Sequence, residues 1–147
     1  MWQQYIAKEF KLLLEKIETE EGFQCKKYKS RIRDTNSILE LSGYIDCLLY
    51  FKIRSAAPYR WGITKNRIEE IENSHKKWFV ALLYETPDNG YLLSSDEVRS
   101  YIRKGLWPLG RGRNRNEYKI RPGTPLQYNQ PFNKFSKFMK LLKSKTT

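Results

Sequence analysis

The sequence predicts an α/β fold in which a mixed β-sheet is flanked by helices. Three observations predict it. Apolar residues recur at helical spacing over residues 2–20, strand-like apolar runs follow between residues 23 and 54, and a helix over 64–74 precedes a second buried-looking strand, "KKWFVALLYE". Because a helix between two strands can make them parallel neighbours, we expect parallel and antiparallel pairs in one sheet.

The first helix is predicted from an apolar stripe whose members recur at steps of three and four residues, with Gly22 as a natural stop. The stripe consists of Trp2, Ile6, Phe10, Leu13 and Ile17. Glu9 lies at the edge of the stripe, so its carboxylate is expected along the surface of the core. It is either a functional group or an ordinary flanking charge.

A β-hairpin is predicted by the runs "SILEL" and "YIDCLLYFKIR", which meet at a dipeptide "SG". In the second run the odd-numbered apolar residues are expected to face one side of the sheet. The even-numbered residues, ending at Lys52, are expected to face the other. If the turn is centred on "SG", Phe51 lies opposite Asp34, with Tyr50 and Lys52 on either side.

Cap signals predict the later helices. Thr64 suits the N-cap of the helix over 64–74, and Ser94 with Glu97 forms a capping-box pattern for a helix at about 95–104. The segment "TPDNG" is predicted as a turn and "YKI" as a short strand. A final helix is predicted at about 132–143, with a stripe of phenylalanines on one face.

Length and charge predict one domain, with an α/β core at 1–105 and a basic extension of the same domain at 106–147. The 147 residues carry a net charge of +12. Residues 104–147 hold 11 basic side chains and a single acid, Glu117. A polyanion is the natural partner of such a segment, because each phosphate that is neutralised releases counterions. A solubilising basic tail is the alternative.

The predicted order of elements, with Asp34, Lys52 and Glu9 at these positions, resembles that of the PD-(D/E)xK superfamily of restriction-endonuclease-like nucleases. In that family an Asp begins the second strand, an acid-x-Lys ends the third, and a Glu from the first helix often joins them. The resemblance implies a restriction-endonuclease-like sheet, a catalytic Lys52, and catalytic and metal-binding roles for Asp34 and Glu9. The sequence departs from the family twice, since Tyr50 stands where the second acid is expected and no Pro precedes Asp34.

The resemblance also implies Mg²⁺ or Mn²⁺ as cofactor. Hydrolysis of a phosphodiester needs a divalent ion held by carboxylate oxygens, and a lysine can stabilise the negative charge that develops. Tyr50 occupies the expected position in the catalytic motif, but its phenol is a poor metal ligand, so another carboxylate would complete the site. Asp46 shares the strand face of Lys52. The candidates are Asp46, Glu69, Glu70 and, less readily, Glu40.

Two basic stretches are expected to contact DNA, "RSAAPYRWGITKNR" and "GRGRNRNEYKIR". Arg can read guanine and Asn can read adenine, so the second stretch would either specify sequence or contact phosphates only. Alternating Arg residues in a strand-like ribbon would point several side chains into one groove. The expected DNA-binding residues are Arg54, Arg60, Lys65, Arg67, Arg111, Arg113, Arg115, Lys119 and Arg121.

Together, these expectations predict a site-specific endonuclease for double-stranded DNA, of homing or restriction type. It would act as a homo-oligomer, a dimer or tetramer, because one active site cuts one strand. The alternative is a non-catalytic DNA- or RNA-binding protein on a degenerate nuclease fold. No signal-peptide pattern or long apolar run is present, which predicts a cytoplasmic protein with no membrane partner. Cys25 and Cys47 lack metal or disulfide spacing, and His75 is expected on the surface.

Overall fold

The computed structural model describes residues 2–20, 22–30, 37–54, 60–121, 123 and 126–146, apart from the side chains of residues 2–7, 9, 10, 114 and 146. The helices are α1 (Trp2–Glu18), α2 (Lys65–Glu72), α3 (Ser95–Arg103) and α4 (Phe135–Thr146). The strands are β1 (Phe23–Lys27), β2 (Ile38–Gly43), β3 (Cys47–Arg54), β4 (Trp61–Thr64), β5 (Lys77–Tyr84), β6 (Thr86–Ser94) and β7 (Glu117–Ile120).

Five strands form one mixed sheet in the order β1-β2-β3-β5-β6. The first three strands pair antiparallel, β3 and β5 pair parallel, and β6 returns antiparallel to β5. The chain passes from β3 to β5 through α2, so the predicted crossover helix joins parallel neighbours. The prediction of an α/β fold with a mixed sheet flanked by helices is confirmed, and the short strand β4 between β3 and α2 is an element that was not predicted.

The register of the β2–β3 hairpin differs from the predicted one. Gly43 continues β2 by pairing with Phe23 of β1, so the chain reverses after the "SG" dipeptide and not within it. The backbone N–H of Phe51 donates to the carbonyl of Ser37 at 2.8 Å, in place of the predicted pairing of Phe51 with Asp34. That pairing is therefore wrong, and Asp34 itself lies outside the described residues.

The two faces of the sheet carry separate hydrophobic layers. Odd-numbered residues of β3, such as Leu49 and Phe51, pack with residues of α1 and α4. Even-numbered residues, such as Leu48 and Tyr50, pack with residues of α2 and α3 on the opposite face. The predicted alternation along β3 is confirmed, and it places Lys52 on the face covered by α2 and α3.

Strands β4 and β7 form a separate two-stranded antiparallel ribbon. One side of the ribbon joins the hydrophobic layer under α2 and α3 through Trp61, Ile63, Tyr118 and Ile120. The indole N–H of Trp61 donates to the carbonyl of Leu83 at 2.7 Å and ties the ribbon to the sheet. The sequence predicted the "YKI" strand but gave no indication of its partner.

The chain reverses direction between β5 and β6 at a single residue, Glu85. Glu85 has a φ of 69°, and Tyr84 pairs with Thr86 directly across it. A non-glycine residue in this left-handed region is uncommon and marks a tight change of direction. The segment "TPDNG" is therefore the first half of β6, and its prediction as a turn is wrong.

The helix caps follow the sequence signals in part. Ser94 and Glu97 form the predicted capping box at α3, whereas Thr64 occupies the N-cap of α2 without a capping bond from its side chain. Helix α4 begins later than predicted, because Phe132 is held in an isolated bridge with Gly90 of β6. Of the helices in the described ranges, none is both long and apolar enough to cross a membrane.

Candidate nucleic-acid interface

Lys52 lies near the carboxyl end of β3, on the sheet face that also carries Tyr50. Its side chain is half-buried, and its Nζ lies 5.9 Å from the centre of the Tyr50 ring. Because side chains alternate along a strand, Arg54 projects from the same face two residues further on. The strand therefore presents two successive cations at the end where β3 and β5, its parallel neighbour, both finish.

Tyr50 occupies the position where the resemblance predicts an acid, and its contacts in the structure are those of a packing residue. The residue is fully buried at 0% exposure. Its hydroxyl oxygen accepts a hydrogen bond from the backbone N–H of Thr64 at 3.1 Å. That N–H lies at the junction of β4 and α2, where helix geometry provides no acceptor. Tyr50 thus holds the ribbon and α2 against the sheet.

A cavity of about 850 Å³ opens at the carboxyl end of β3. The ribbon forms one side, and the segment after α3 adjoins it, because the backbone N–H of Lys119 donates to the carbonyl of Pro108 at 3.0 Å. Its lining residues are Arg54, Arg60, Trp61, Gly62, Gly105, Leu106, Pro108, Glu117, Lys119, Ile120 and Arg121. Basic side chains outnumber acids in this lining, which we call the basic cleft.

The ribbon brings together the two basic stretches that the sequence singled out. Trp61 pairs with Ile120 across the ribbon, so Arg60 and Arg121 are the next residues outward on the two strands. Both line the basic cleft with Arg54 of β3. Residues more than 50 positions apart in the sequence therefore share one concave surface, and this grouping could not be deduced from either stretch alone.

Glu117 is the single acid among the lining residues of the basic cleft. Its carboxylate lies 3.1 Å from the Nζ of Lys119, and both side chains are partly exposed. The same carboxylate crosses the ribbon into the space that a Cβ atom on Gly62 would occupy. A glycine within a strand often permits such a close approach, so Gly62 makes room for Glu117 over the ribbon.

Among the expected DNA-binding residues of α2, the Arg67 side chain serves internal contacts and Lys65 is held through its backbone. Arg67 of α2 is buried at 8% exposure, and its guanidinium donates to Glu70 at 3.1 Å and to the hydroxyl of Ser30 at 2.6 Å. The backbone N–H of Lys65 donates to the carbonyl of Asn116 at 2.7 Å, which fastens α2 to the loop before β7. The structure does not bring the Arg67 side chain to the basic cleft.

Arg111, Arg113 and Arg115 are exposed, but they do not alternate along a strand. The chain forms a short 3₁₀ turn over Gly112–Asn114, where Gly112 has a φ of 61°. Only Glu117–Ile120 is extended, so the expectation of an arginine-bearing ribbon over the whole stretch is wrong. The three arginines lie on the loop that leads into β7.

The carboxylates proposed from the sequence are not brought to Lys52 within the described residues. Asp46 precedes β3 at its other end, about 20 Å from Lys52 at roughly 3.3 Å per residue. Glu40 is bound by Lys26 and Lys76, each at 3.3 Å, and these contacts lower its pKa although burial opposes ionisation. Glu69 is exposed on α2.

Glu70 is likewise committed to Arg67 and Ser30, which take up its carboxylate oxygens. Asp34 and the side chain of Glu9 lie outside the described residues. In the part of the chain that the structure describes, no three His, Cys, Asp or Glu side chains are grouped to hold a metal ion. The described carboxylates therefore do not form a metal site by themselves.

The cysteines and the histidine offer no alternative chemistry at the cleft. Burial raises the pKa of the Cys47 thiol to about 12, and burial with the nearby Glu18 raises the pKa of Cys25 to about 12. Thiols with such pKa values are poor nucleophiles at neutral pH. His75 is exposed at the turn after α2, as predicted, with a φ of 63°.

Several residues of the basic cleft were not identified from the sequence. Leu106, Pro108, Gly62 and Glu117 line it beside the predicted cations. The alternation of "WGIT" and of "EYKI" indicates two short strands, and a glycine inside one of them indicates a close approach. No signal in the sequence pairs these strands with each other.

Comparison with known proteins gave one structural similarity. No family model matches the chain, and no curated protein matches it. The solved structure of Hjc from Archaeoglobus fulgidus, a Holliday junction resolvase from an archaeal hyperthermophile, is similar to the chain with a TM-score of 0.47 and 10% identity, covering 84% of this chain and 93% of that chain.

Proposed function

We propose that the protein binds DNA in the basic cleft and cuts it as an endonuclease. One observation carries the proposal: Lys52 and Arg54 project from the same face of β3, and Arg54 lines a cleft with three further cations from the ribbon. The cations would bind phosphates of the DNA backbone. Lys52 would lie beside the neighbouring phosphate of the same DNA strand. A fixed ammonium group stabilises the charge that develops during phosphodiester cleavage.

Divalent metal forms part of this proposal. Mg²⁺ or Mn²⁺, when bound, would neutralise phosphate charge and lower the pKa of the attacking water. Asp34 and Glu9 remain the candidate ligands on the strength of the resemblance alone. The described residues contribute Lys52, which lies two residues before the cleft residue Arg54 on β3, and Tyr50, which fixes the ribbon against the sheet.

A homing or restriction role is the finer form of the proposal. It requires that the loop with Arg113 and Arg115 reads bases and that two subunits cut opposite strands. Replacing either arginine by Ala would then relax sequence preference. Contact with phosphates alone would instead weaken binding to all sequences equally.

A non-catalytic DNA-binding protein is the second candidate. Tyr50 favours it, because the residue in the expected acidic position is buried and its hydroxyl is engaged with the backbone of Thr64. The same basic cleft would serve such a protein, and only the chemistry at Lys52 would be absent.

The test is cleavage of supercoiled plasmid with Mg²⁺ or Mn²⁺ by the parent chain and by Lys52→Ala. We expect the parent to nick or linearise the plasmid and the variant to lose most of that activity, on the order of 100-fold, while still binding DNA. Lys26→Ala is the matched control, since Lys26 is an exposed lysine on β1, an edge strand of the sheet two strands away from β3. It should cut like the parent.

Tight binding without cutting by any of the three proteins contradicts the endonuclease and supports the second candidate. Equal cutting by the parent and Lys52→Ala removes Lys52 from the site.

A further inference from the structure

Helices α1 and α4 pack on the same face of the sheet, yet their charges differ. Both contribute side chains to the hydrophobic layer that contains Leu49 and Phe51. In α1 three lysines are balanced by three glutamates, whereas α4 carries four lysines and no acid. A general need for solubility does not explain why the positive charge is concentrated on one of these two helices.

The outward side of α4 presents groups that bind phosphate. Among the described side chains of this helix, those that are exposed are Ser136, Lys137, Lys140 and Ser144. Lysine and serine are among the residues that contact the phosphates of nucleic acids. Phe138 and Leu142, on the inward side, are fully buried at 0% exposure. The apolar stripe of α4 is therefore used inside the protein and is not available to enter a membrane.

The charges of Lys137 and Lys140 are not neutralised by the protein. Residues three apart are neighbours on a helix surface, so these two ammonium groups repel each other. Within the described residues neither lysine forms an ion pair. Two acids near the ends of α4 are already bound by other lysines, in the pairs Lys16–Asp88 and Lys145–Glu97. The positive charge on the outward side of α4 is therefore available to an external anion.

The outward side of α4 is well separated from the basic cleft. The ribbon packs in the hydrophobic layer under α2 and α3, and α4 packs in the layer on the opposite face of the sheet. The last turns of α4 also lie near the β2–β3 turn, since the Nζ of Lys143 is 5.5 Å from the centre of the Tyr44 ring. That turn precedes β3, whose eight residues extend about 25 Å to the end where the cleft opens.

We infer that the outward side of α4 is a second DNA-binding surface, which holds another segment of DNA while the first segment occupies the basic cleft. Lys137 and Lys140 contact the phosphates of this second segment, so binding there has no sequence preference. The inference rests on the proposed function for DNA as the ligand, but it does not depend on cutting.

The test asks whether protein that is bound to one duplex captures another. A biotinylated duplex of about 20 base pairs is fixed to beads, because DNA this short is too stiff to bend around the sheet. The beads are loaded with protein in EDTA, which prevents cleavage, and are then incubated with a fluorescent duplex of the same length. We expect the parent protein to retain the fluorescent duplex on the beads.

Replacing Lys137 and Lys140 together by Ala should lower capture of the second duplex about tenfold or more, because two phosphate contacts are lost. The amount of protein held by the first duplex should stay the same. The variant should also melt no earlier than the parent, since alanine favours the helix and the repulsion between the two lysines is removed.

Lys8→Ala with Lys11→Ala is the matched control. These two lysines are exposed, lie three residues apart and belong to a helix on the same face of the sheet. The double variant has the same net charge as the α4 double variant, so it should capture the second duplex as the parent does. Vesicles that contain phosphatidylserine are tested in parallel as an alternative anionic surface.

Unchanged capture by the α4 double variant would overturn the inference, because the second duplex would then be held by the basic cleft of another copy. It is also overturned by equal losses in the two double variants, or by a parent that binds the first duplex and captures no second one. Vesicle binding that depends on Lys137 and Lys140, with capture of DNA intact, would assign the surface to lipid instead.

These outcomes are separate from those of plasmid cleavage. Capture that depends on α4 without any cutting removes the endonuclease and leaves this inference standing. Cutting by a parent that captures no second duplex removes this inference alone, and a parent that binds no DNA overturns both.

Discussion

The five-stranded sheet and the β4–β7 ribbon differ in how many of their faces are buried. Central strands of the sheet are buried on both faces, so nearly every side chain of β3 and β5 contributes to one of two hydrophobic layers. The ribbon buries one side only. Its other side presents Gly62, Glu117 and Lys119 to the basic cleft. We therefore expect the sheet to provide stability and the open side of the ribbon to provide the proposed DNA binding.

The largest expected effect is in the sheet. Leu49 in β3 is fully buried at 0% exposure. Leu49→Ala should lower the free energy of unfolding by about 2–5 kcal/mol through lost burial and a residual cavity. Leu109, which is 43% exposed beside the ribbon, is the control, and Leu109→Ala should change stability by less than about 0.5 kcal/mol. Urea unfolding measures both, and similar losses would erase the distinction between the two regions.

The second effect is on binding through the ribbon. Replacing Arg60 and Arg121 together by Ala should weaken DNA binding by about tenfold or more and reduce the slope of log affinity against log salt by about 2, because two phosphate contacts are lost. Stability should hardly change. Lys8→Ala with Lys11→Ala removes the same charge from exposed positions on α1 and should keep the parent's slope. Equal slopes for the two double variants would place the DNA elsewhere.

Tyr50→Phe tests the connection between the two regions. The change deletes the acceptor of the Thr64 N–H and leaves that donor without this bond in a partly buried position. We expect a loss of about 1–2 kcal/mol in the free energy of unfolding, with plasmid cleavage per folded molecule unchanged. A loss of cleavage without a loss of stability would instead give the phenol a part in the chemistry.

A smaller effect is expected from the acid of the ribbon. Glu117→Gln should strengthen DNA binding about two- to fivefold, because the basic cleft loses its carboxylate and Lys119 is released. Asp88→Asn is the control, since Asp88 pairs with Lys16 at 2.6 Å outside the cleft and the variant has the same net charge. Equal DNA binding by the two variants would show that the Glu117 carboxylate does not oppose DNA in the basic cleft.

The smallest effect concerns Glu97, a carboxylate of the sheet-and-helix body. Burial opposes its ionisation, but hydrogen bonds from Lys145, the Ser94 N–H and Asn129 outweigh this and lower its pKa. A lowered folded pKa stabilises the fold above the ordinary pKa of Glu, and this contribution is lost as the pH falls below it. Glu97→Gln should therefore lose less stability than the parent between neutral pH and pH ~3. Melting temperatures at the two pH values measure the difference, and identical losses would contradict it.

The sequence predicted the sheet better than the ribbon for a physical reason. Alternation along β3 and the buried run of β5 are local patterns that fix which side chains are inside. The capping box of Ser94 and Glu97 is equally local. The pairing of β4 with β7 joins residues far apart in the chain, and short strands of four residues carry no sign of their partner. The register of the β2–β3 hairpin also failed, because β1 extends β2 through Gly43.

The residues of the candidate site were also predictable only in part from the sequence. The cations Arg54, Arg60, Lys119 and Arg121 were predicted individually from local composition, and the structure places them around one cavity. Arg67 was predicted to contact DNA but is buried against Glu70, a contact that depends on how α2 packs. Tyr50 was recognised as a departure from the family motif, and its bond to Thr64 depends on the tertiary fold.

Hydrogen exchange of the protein with and without bound DNA shows which surface of the protein the DNA covers. We expect slower exchange at residues 60–64 and 117–121, which form the ribbon and its outward flanks, and at the carboxyl end of β3. Residues 23–27 and 38–43 at the opposite edge of the sheet should exchange at the same rates. Protection confined to that opposite edge or to α1 and α4, with the ribbon unchanged, would contradict the claim that DNA binds at the ribbon.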